Sequence, residues 1–196
     1  MKRFFTADWH LCSNAVFQLG ERPYRNLDVM NERIIQDANM RAHEIDDVIY
    51  HLGDFYNECK DKSFKCYKVK PSFYLDKIKA KFVLIEGNHD VQNDIKCIGK
   101  LLYMNLGGRK ITMGHLPTFL MEYPDLDFLG RNHIHLCGHV HKKWKIAFDK
   151  RLNILNVNVG LDMWKYRLVS EKELIKFIDF KIREENNFKL LDFLYC

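Results

Sequence analysis

Asp8-Trp9-His10, Gly53-Asp54, Gly87-Asn88-His89-Asp90, Gly114-His115 and Gly138-His139-Val140-His141 each follow an apolar, strand-compatible run. Each run therefore closes on Asp, Asn or His, and in all but the first a Gly stands immediately before the polar residue. Glycine permits a sharp turn and close backbone approach, and open α/β sheets bind ligands at the carboxyl ends of their strands. Residues i and i+2 of a strand share a face. On that basis Asp8 with His10, and His139 with His141, are expected to point at one spot. Imidazole, carboxylate and amide oxygen together suit Mn, Fe, Co, Ni or Zn. About eight coordination bonds are too many for one four-coordinate ion, so two ions are expected. A lone Gly-Asp is usually a turn; the signal is the succession of such ends.

The elements that must position these residues follow from periodicity. Residues 2–8, 47–54 and 81–87 read as strands. Leu27, Met30, Ile34 and Ala38 recur at helical spacing, predicting an amphipathic helix over 27–43. Pro71 opens a predicted helix to about Lys79, and 93–103 reads as a short helix. Residues 109–115, 133–139 and 153–160 read as later strands. Ser170 followed by Glu173 is a capping-box signature for a C-terminal helix. Strands alternating with helices and then a strand-rich part predict an α/β fold with a mixed sheet. A length of 196 residues, without repeats or linkers, predicts one domain over 1–196.

Composition narrows the setting. The chain is 47% apolar, which argues against disorder. No apolar run approaches the roughly 20 residues of a membrane span. The start, MKRFFTADWH, lacks the apolar region of a signal peptide. The expectation is a soluble, cytoplasmic protein (host cytoplasm if phage-encoded) with no membrane partner. Cys12, Cys59, Cys66, Cys97, Cys137 and Cys196 form no CxxC pair and read as free thiols. The net charge of +5 steers towards anions. The basic residues of 60–70 and 142–151 read first as solvated loops and keep nucleic acid open as a partner.

Taken in order, the five polar ends resemble the calcineurin-like metallophosphoesterases, whose pattern runs D-x-H, G-D, G-N-H-D/E, G-H, G-H-x-H. The motifs span residues 8–141, about two thirds of the chain. Weaker likeness to a small bacterial and phage branch comes from Arg22-Pro23 followed by Met30-Asn31-Glu32, from 50–54, and from 158–164. The resemblance implies a four-layer α/β/β/α fold, two facing sheets flanked by helices. It implies two divalent ions, manganese foremost, with Asp8, His10 and His141 holding one. Asn88, His115 and His139 would hold the other, and Asp54 would bridge them. The two cations outweigh the carboxylates, so the site attracts phosphate. A metal-bound hydroxide would then attack a phosphate ester. By the same resemblance His89 faces the substrate as general acid and transition-state stabiliser, worth typically about 10²–10⁴-fold. Asp90 is expected to orient His89 and favour its charged form.

Other residues carry readings of their own. Arg22, on the loop after the first motif with Asn14, is read as a phosphate contact through its forked guanidinium, against a surface salt bridge. Asn88 is also placed at the substrate. His133, His135 and Cys137 share the alternating face of His139 but sit early in the strand, and are read as structural. Trp9 should face packing; Trp164, Tyr166 and Arg167 lie past the last motif, where the aromatics read as core, with lining of the cleft as the alternative. Without a long cap insertion the site is expected to be open, favouring a phosphodiester, nucleotide or nucleic-acid-like. A phosphomonoesterase or nucleotidase on the same site and a non-catalytic metal-binding scaffold are the alternatives.

Overall fold

The computed structural model describes residues 1–19, 22–93, 95–121 and 133–187. Three parallel strands, β1 (Arg3–Thr6), β2 (Val48–Leu52) and β3 (Lys81–Ile85), and the antiparallel β9 (Val169–Ser170) make a first sheet ordered β3-β2-β1-β9. A second sheet is ordered β4-β5-β6-β8-β7, from β4 (Leu101–Leu106), β5 (Arg109–Gly114), β6 (His133–Cys137), β7 (Ile146–Asp149) and β8 (Ile154–Asn158). Within it β5, β6 and β8 are parallel. The protein is thus a mixed α/β fold with two sheets and few helices, as the sequence leads one to expect.

Two cores hold the layers. Phe5, Leu52 and Ile85 of the first sheet join Ile111, Met113, Ile134, Leu136 and Val157 of the second in one buried cluster. The helix Glu171–Asn187 adds Leu174 and Ile178 to it. The other cluster packs Phe4, Ile49 and Leu84 against Leu27, Met30, Ile34 and Ala38 of the helix Leu27–Arg41. That is the apolar stripe read from the sequence. Asn26 caps this helix, its side chain accepting from Val29 N–H at 2.9 Å. The capping box also forms: Ser170 Oγ and Glu173 Oε2 are 2.7 Å apart, and Glu173 N–H donates back to Ser170 Oγ at 3.3 Å.

Local readings fail in three places. The helix after Pro71 spans only Ser72–Leu75, because the chain must enter β3 at Lys81. Residues 95–103, read as part of a helix over 93–103, are not helical. A single 3₁₀ turn, Val91–Asn93, leads to β4, which pairs with β5 through a two-residue hairpin turn. Gly107 and Gly108 have φ of 55° and 76°, the turn that matches strand twist. The third failure is omission: the helix Asn14–Leu19, β9 and β7 were not read from the sequence, and β7 is defined by hydrogen bonds from its partner β8.

Five cysteines, Cys12, Cys59, Cys66, Cys97 and Cys137, are free thiols, and Cys196 lies outside the described residues. Among the described residues no helix is long and apolar enough to cross a membrane.

Candidate metal centre

The site forms where the two sheets meet. Ala7 pairs with Gly160 across them, and Leu161 N–H donates to the Ala7 carbonyl at 3.1 Å. In the first sheet the registers Thr6↔His51 and Leu52↔Ile85 bring the strand ends level. Asp8 N–H then donates to the Gly53 carbonyl and His10 N–H to the Asp54 carbonyl, each at 3.0 Å. From the second sheet, His139 N–H donates to Asp8 Oδ1 at 2.9 Å.

Strand alternation is not what aligns the side chains. Asp8, His10, His139 and His141 all lie beyond the ends of β1 and β6, and their φ values are 58°, 47°, 71° and 47°. Asp54 has φ 58°. Left-handed backbone costs a non-glycine residue of order 1–3 kcal/mol, and such strain gathers at functional sites. It turns each of these side chains inward, and surrounding contacts hold it. A Cβ on Gly87 would overlap the Asp54 backbone nitrogen and Oδ1, so only glycine lets the ends of β2 and β3 approach this closely.

The donors converge in two groups. Asn88 Oδ1 lies 3.0 Å from His115 Nε2 and 3.1 Å from His139 Nδ1, and the two ring nitrogens are 3.3 Å apart. Donor atoms of Asp8, His10 and His141 lie within 4.8 Å of one another, as do those of Asp8, Asp54 and His115. Asp54 Oδ2 stands between the groups, 3.5 Å from His10 Nε2 and 3.3 Å from His115 Nε2. Two donors bound at about 2.1 Å to one ion sit about 3.0 Å apart at a right angle and about 3.4 Å at the tetrahedral angle. The spacings fall in that range.

Ring orientation agrees. His10 Nδ1 pairs with Asn57 Oδ1 at 2.8 Å, His115 Nδ1 with the Leu52 carbonyl at 2.8 Å, and His141 Nδ1 with Asp162 Oδ2 at 2.8 Å. Each partner accepts a proton at Nδ1, which leaves the Nε2 lone pair free for the cluster. Metal-binding imidazoles are usually fixed this way. His10 Nε2 is buried without a hydrogen-bond partner, an arrangement a cation would satisfy.

The electrostatics point the same way. Burial lowers His10 to about 3, keeping it neutral. Burial opposes charge on His115 too, but the Asp54 hydrogen bond and the Asp8 and Asp54 charges push it up to about 9. Burial raises Asp8. It works to raise Asp54 as well, yet His115 and His10 bring Asp54 below its ordinary range. Two buried carboxylates in this setting call for cationic partners.

Among the described residues Asp90 makes no hydrogen bond to the His89 side chain. Its Oδ2 accepts from Asp54 N–H at 2.8 Å and Gly87 N–H at 2.9 Å, and its Oδ1 from Phe55 N–H at 2.9 Å. It is a buried clamp between the ends of β2 and β3. His89 is half-buried, its ring edge-on to that of His10 at 5.4 Å, and its N–H donates to Asp54 Oδ1 at 2.9 Å. Asn88 is exposed beside it.

Arg22 is neither a phosphate contact nor a surface ion pair. Its side chain is buried, forked onto Asp162 at 3.1 and 3.2 Å, and it also donates to the Asp8 and Trp9 carbonyls at 2.6 and 2.7 Å. These partners engage the whole guanidinium. Sequence reasoning missed Asp162 and Asn57. The signal for Asp162 was a sixth predicted strand end, the run 153–160 closing on Gly160 two residues before it, although β8 itself ends at Asn158.

Three of the residues read as structural are tied into the fold. His133 and His135 both bond Thr112 Oγ1, at 3.0 and 2.8 Å, and His135 Nε2 meets the Leu116 carbonyl at 3.0 Å. Trp9 is fully buried and donates to Thr6 Oγ1.

Comparison with known proteins places this geometry. The family model of the calcineurin-like phosphoesterase superfamily domain matches residues 1–168. An uncharacterised protein of Methanocaldococcus jannaschii is 24% identical over 180 residues, 91% of this chain and 92% of its own. The crystal structure of a protein of unknown function from Aquifex aeolicus shares the fold, with a TM-score of 0.63 and 20% identity over 90% of this chain and 98% of that one. The family match takes in every residue of both donor groups, so the chain belongs to the calcineurin-like phosphoesterase superfamily, hydrolases of phosphate esters that use divalent metals.

Proposed function

We propose that the protein is a phosphodiesterase working with two divalent ions, manganese foremost and Fe, Co, Ni or Zn as substitutes. Asp8, His10 and His141 would hold one ion and Asn88, His115 and His139 the other, with Asp54 between them. The observation that carries this reading is the set of imidazoles held at Nδ1 by Asn57, Leu52 and Asp162, with Nε2 turned to the cluster. Divalent ions bound there would supply a nucleophile at neutral pH and neutralise charge on the phosphoryl oxygens.

The chain's own residues do the rest. Asp90 and Gly87 fix the backbone of Asp54. His89 stands half-exposed beside His10, and in this reading it would stabilise charge on the phosphoryl group and give a proton to the leaving oxygen. A diester is favoured because two cavities reach the donors, one at Asn88 and His115 and one at His139 and His141. A diester has two arms to place, a monoester one.

Initial rates on bis-p-nitrophenyl phosphate and p-nitrophenyl phosphate with added Mn²⁺ test this. The diester should turn over faster. A faster monoester would make the protein a phosphomonoesterase. No turnover with any metal, from a folded and metal-loaded sample, would leave it a binding scaffold.

A further inference from the structure

The two cavities differ in charge. The one at Asn88 and His115, about 230 Å³, is walled by Val91, Leu116 and Met121, and its Lys100 lies 3.7 Å from Glu86. It offers little net charge. The one at His139 and His141, about 630 Å³, runs over Lys142 and Lys143. Both lysines are exposed, and neither pairs with an acidic side chain among the described residues. The acid in that wall, Asp162, is buried and already shared by Arg22 and His141. The remaining wall is Ala15, Val16 and Val140. Two ammonium groups without an acidic partner among the described residues thus stand directly after His141, in this cavity and not in the other.

We propose that this cavity is a subsite for a second phosphate, so that the substrate is a phosphodiester carrying a further phosphate on the arm that lies over Lys142 and Lys143. This rests on the diesterase reading. Lysine suits the task as a flexible point charge that does not demand a fixed geometry. Unpaired cations lining a cleft raise the local concentration of an anionic arm, in a manner that salt weakens. The smaller cavity, whose lysine lies beside Glu86, takes the uncharged side of the ester. The lysines of 60–70 line neither cavity.

The test compares thymidine dinucleotides with and without a terminal phosphate, and a single-stranded thymidine oligomer, on the Mn²⁺-loaded protein and on Lys142→Ala/Lys143→Ala. The terminal phosphate should raise kcat/KM by about tenfold or more at low salt. The ratio should fall towards unity in the double variant and at high salt. A further gain with the oligomer supports the subsite and assigns the second phosphate to a strand; no further gain supports it and assigns it to a nucleotide. Equal kcat/KM for the two dinucleotides, or a preference that survives in the variant, overturns the subsite. Turnover of bis-p-nitrophenyl phosphate by the unsubstituted protein separates the two readings. If it is present without the terminal-phosphate preference, the subsite alone fails; if no diester is hydrolysed, both fail.

Discussion

Asp162 Oδ2 accepts from His141 Nδ1 at 2.8 Å while the same carboxylate is forked by Arg22. Arg22 in turn holds the Asp8 carbonyl at 2.6 Å. One buried ion pair thus ties the loop after β8 to two residues of the same donor group. Removing one partner of a buried pair typically costs about 3–5 kcal/mol. Asp162→Ala and Arg22→Ala should each lower stability on that scale in urea unfolding. Asp162→Asn keeps an acceptor but loses the charge, and should weaken Mn²⁺ binding about 10–100-fold by calorimetry.

His89 and Asp54 should separate chemistry from metal binding. His89→Ala is expected to retain both ions by metal analysis and to lose about 10²–10⁴-fold in kcat. Asp54→Asn is expected to lose metal. If His89→Ala stripped the ions and Asp54→Asn kept them, the roles would be exchanged.

Asp90 offers a different contrast. Its carboxylate accepts three backbone N–H groups around Asp54 and Gly87. Asp90→Asn points an amide N–H₂ at one or more of those donors. A buried unsatisfied group costs about 1–3 kcal/mol, so unfolding should show a loss of at least that size. Metal affinity should fall with it, because Asp54 loses its anchor. A variant with native stability and metal binding but a shifted pH–rate profile would instead return Asp90 to the service of His89.

Metal binding should release protons. His115 without metal is pushed up to about 9 by Asp54 and Asp8 against the effect of burial. Below that value the ring is protonated, and a cation must displace the proton to reach Nε2. Apparent affinity should therefore rise with pH, about tenfold per unit for one proton, and level off near pH 9. Calorimetry in buffers of different ionisation enthalpy would measure the proton count. A flat affinity between pH 6 and pH 8 would argue that His115 is not a ligand.

The chemistry of the site was legible in the sequence because it is local. A strand that ends in Gly and then Asp, Asn or His announces itself within a few residues. So does a capping box, and so does the apolar stripe of 27–41. What lay beyond reach was decided between segments. Asp90 and His89 are neighbours in sequence, yet the parallel register of β2 and β3 sends the Asp90 carboxylate to Asp54, Phe55 and Gly87. Arg22 carries a phosphate-binding group, but the fold buries it against Asp162, which lies 140 residues away. The convergence of His10 and His141 depends on left-handed backbone and on the junction of the two sheets at Ala7 and Gly160. By itself the sequence determined which polar side chains follow the strands and which glycines turn the chain towards them. Tertiary structure decided which of them face one another, because a hydrogen bond is satisfied by whatever partner the packing brings near, and sequence distance sets no limit on that.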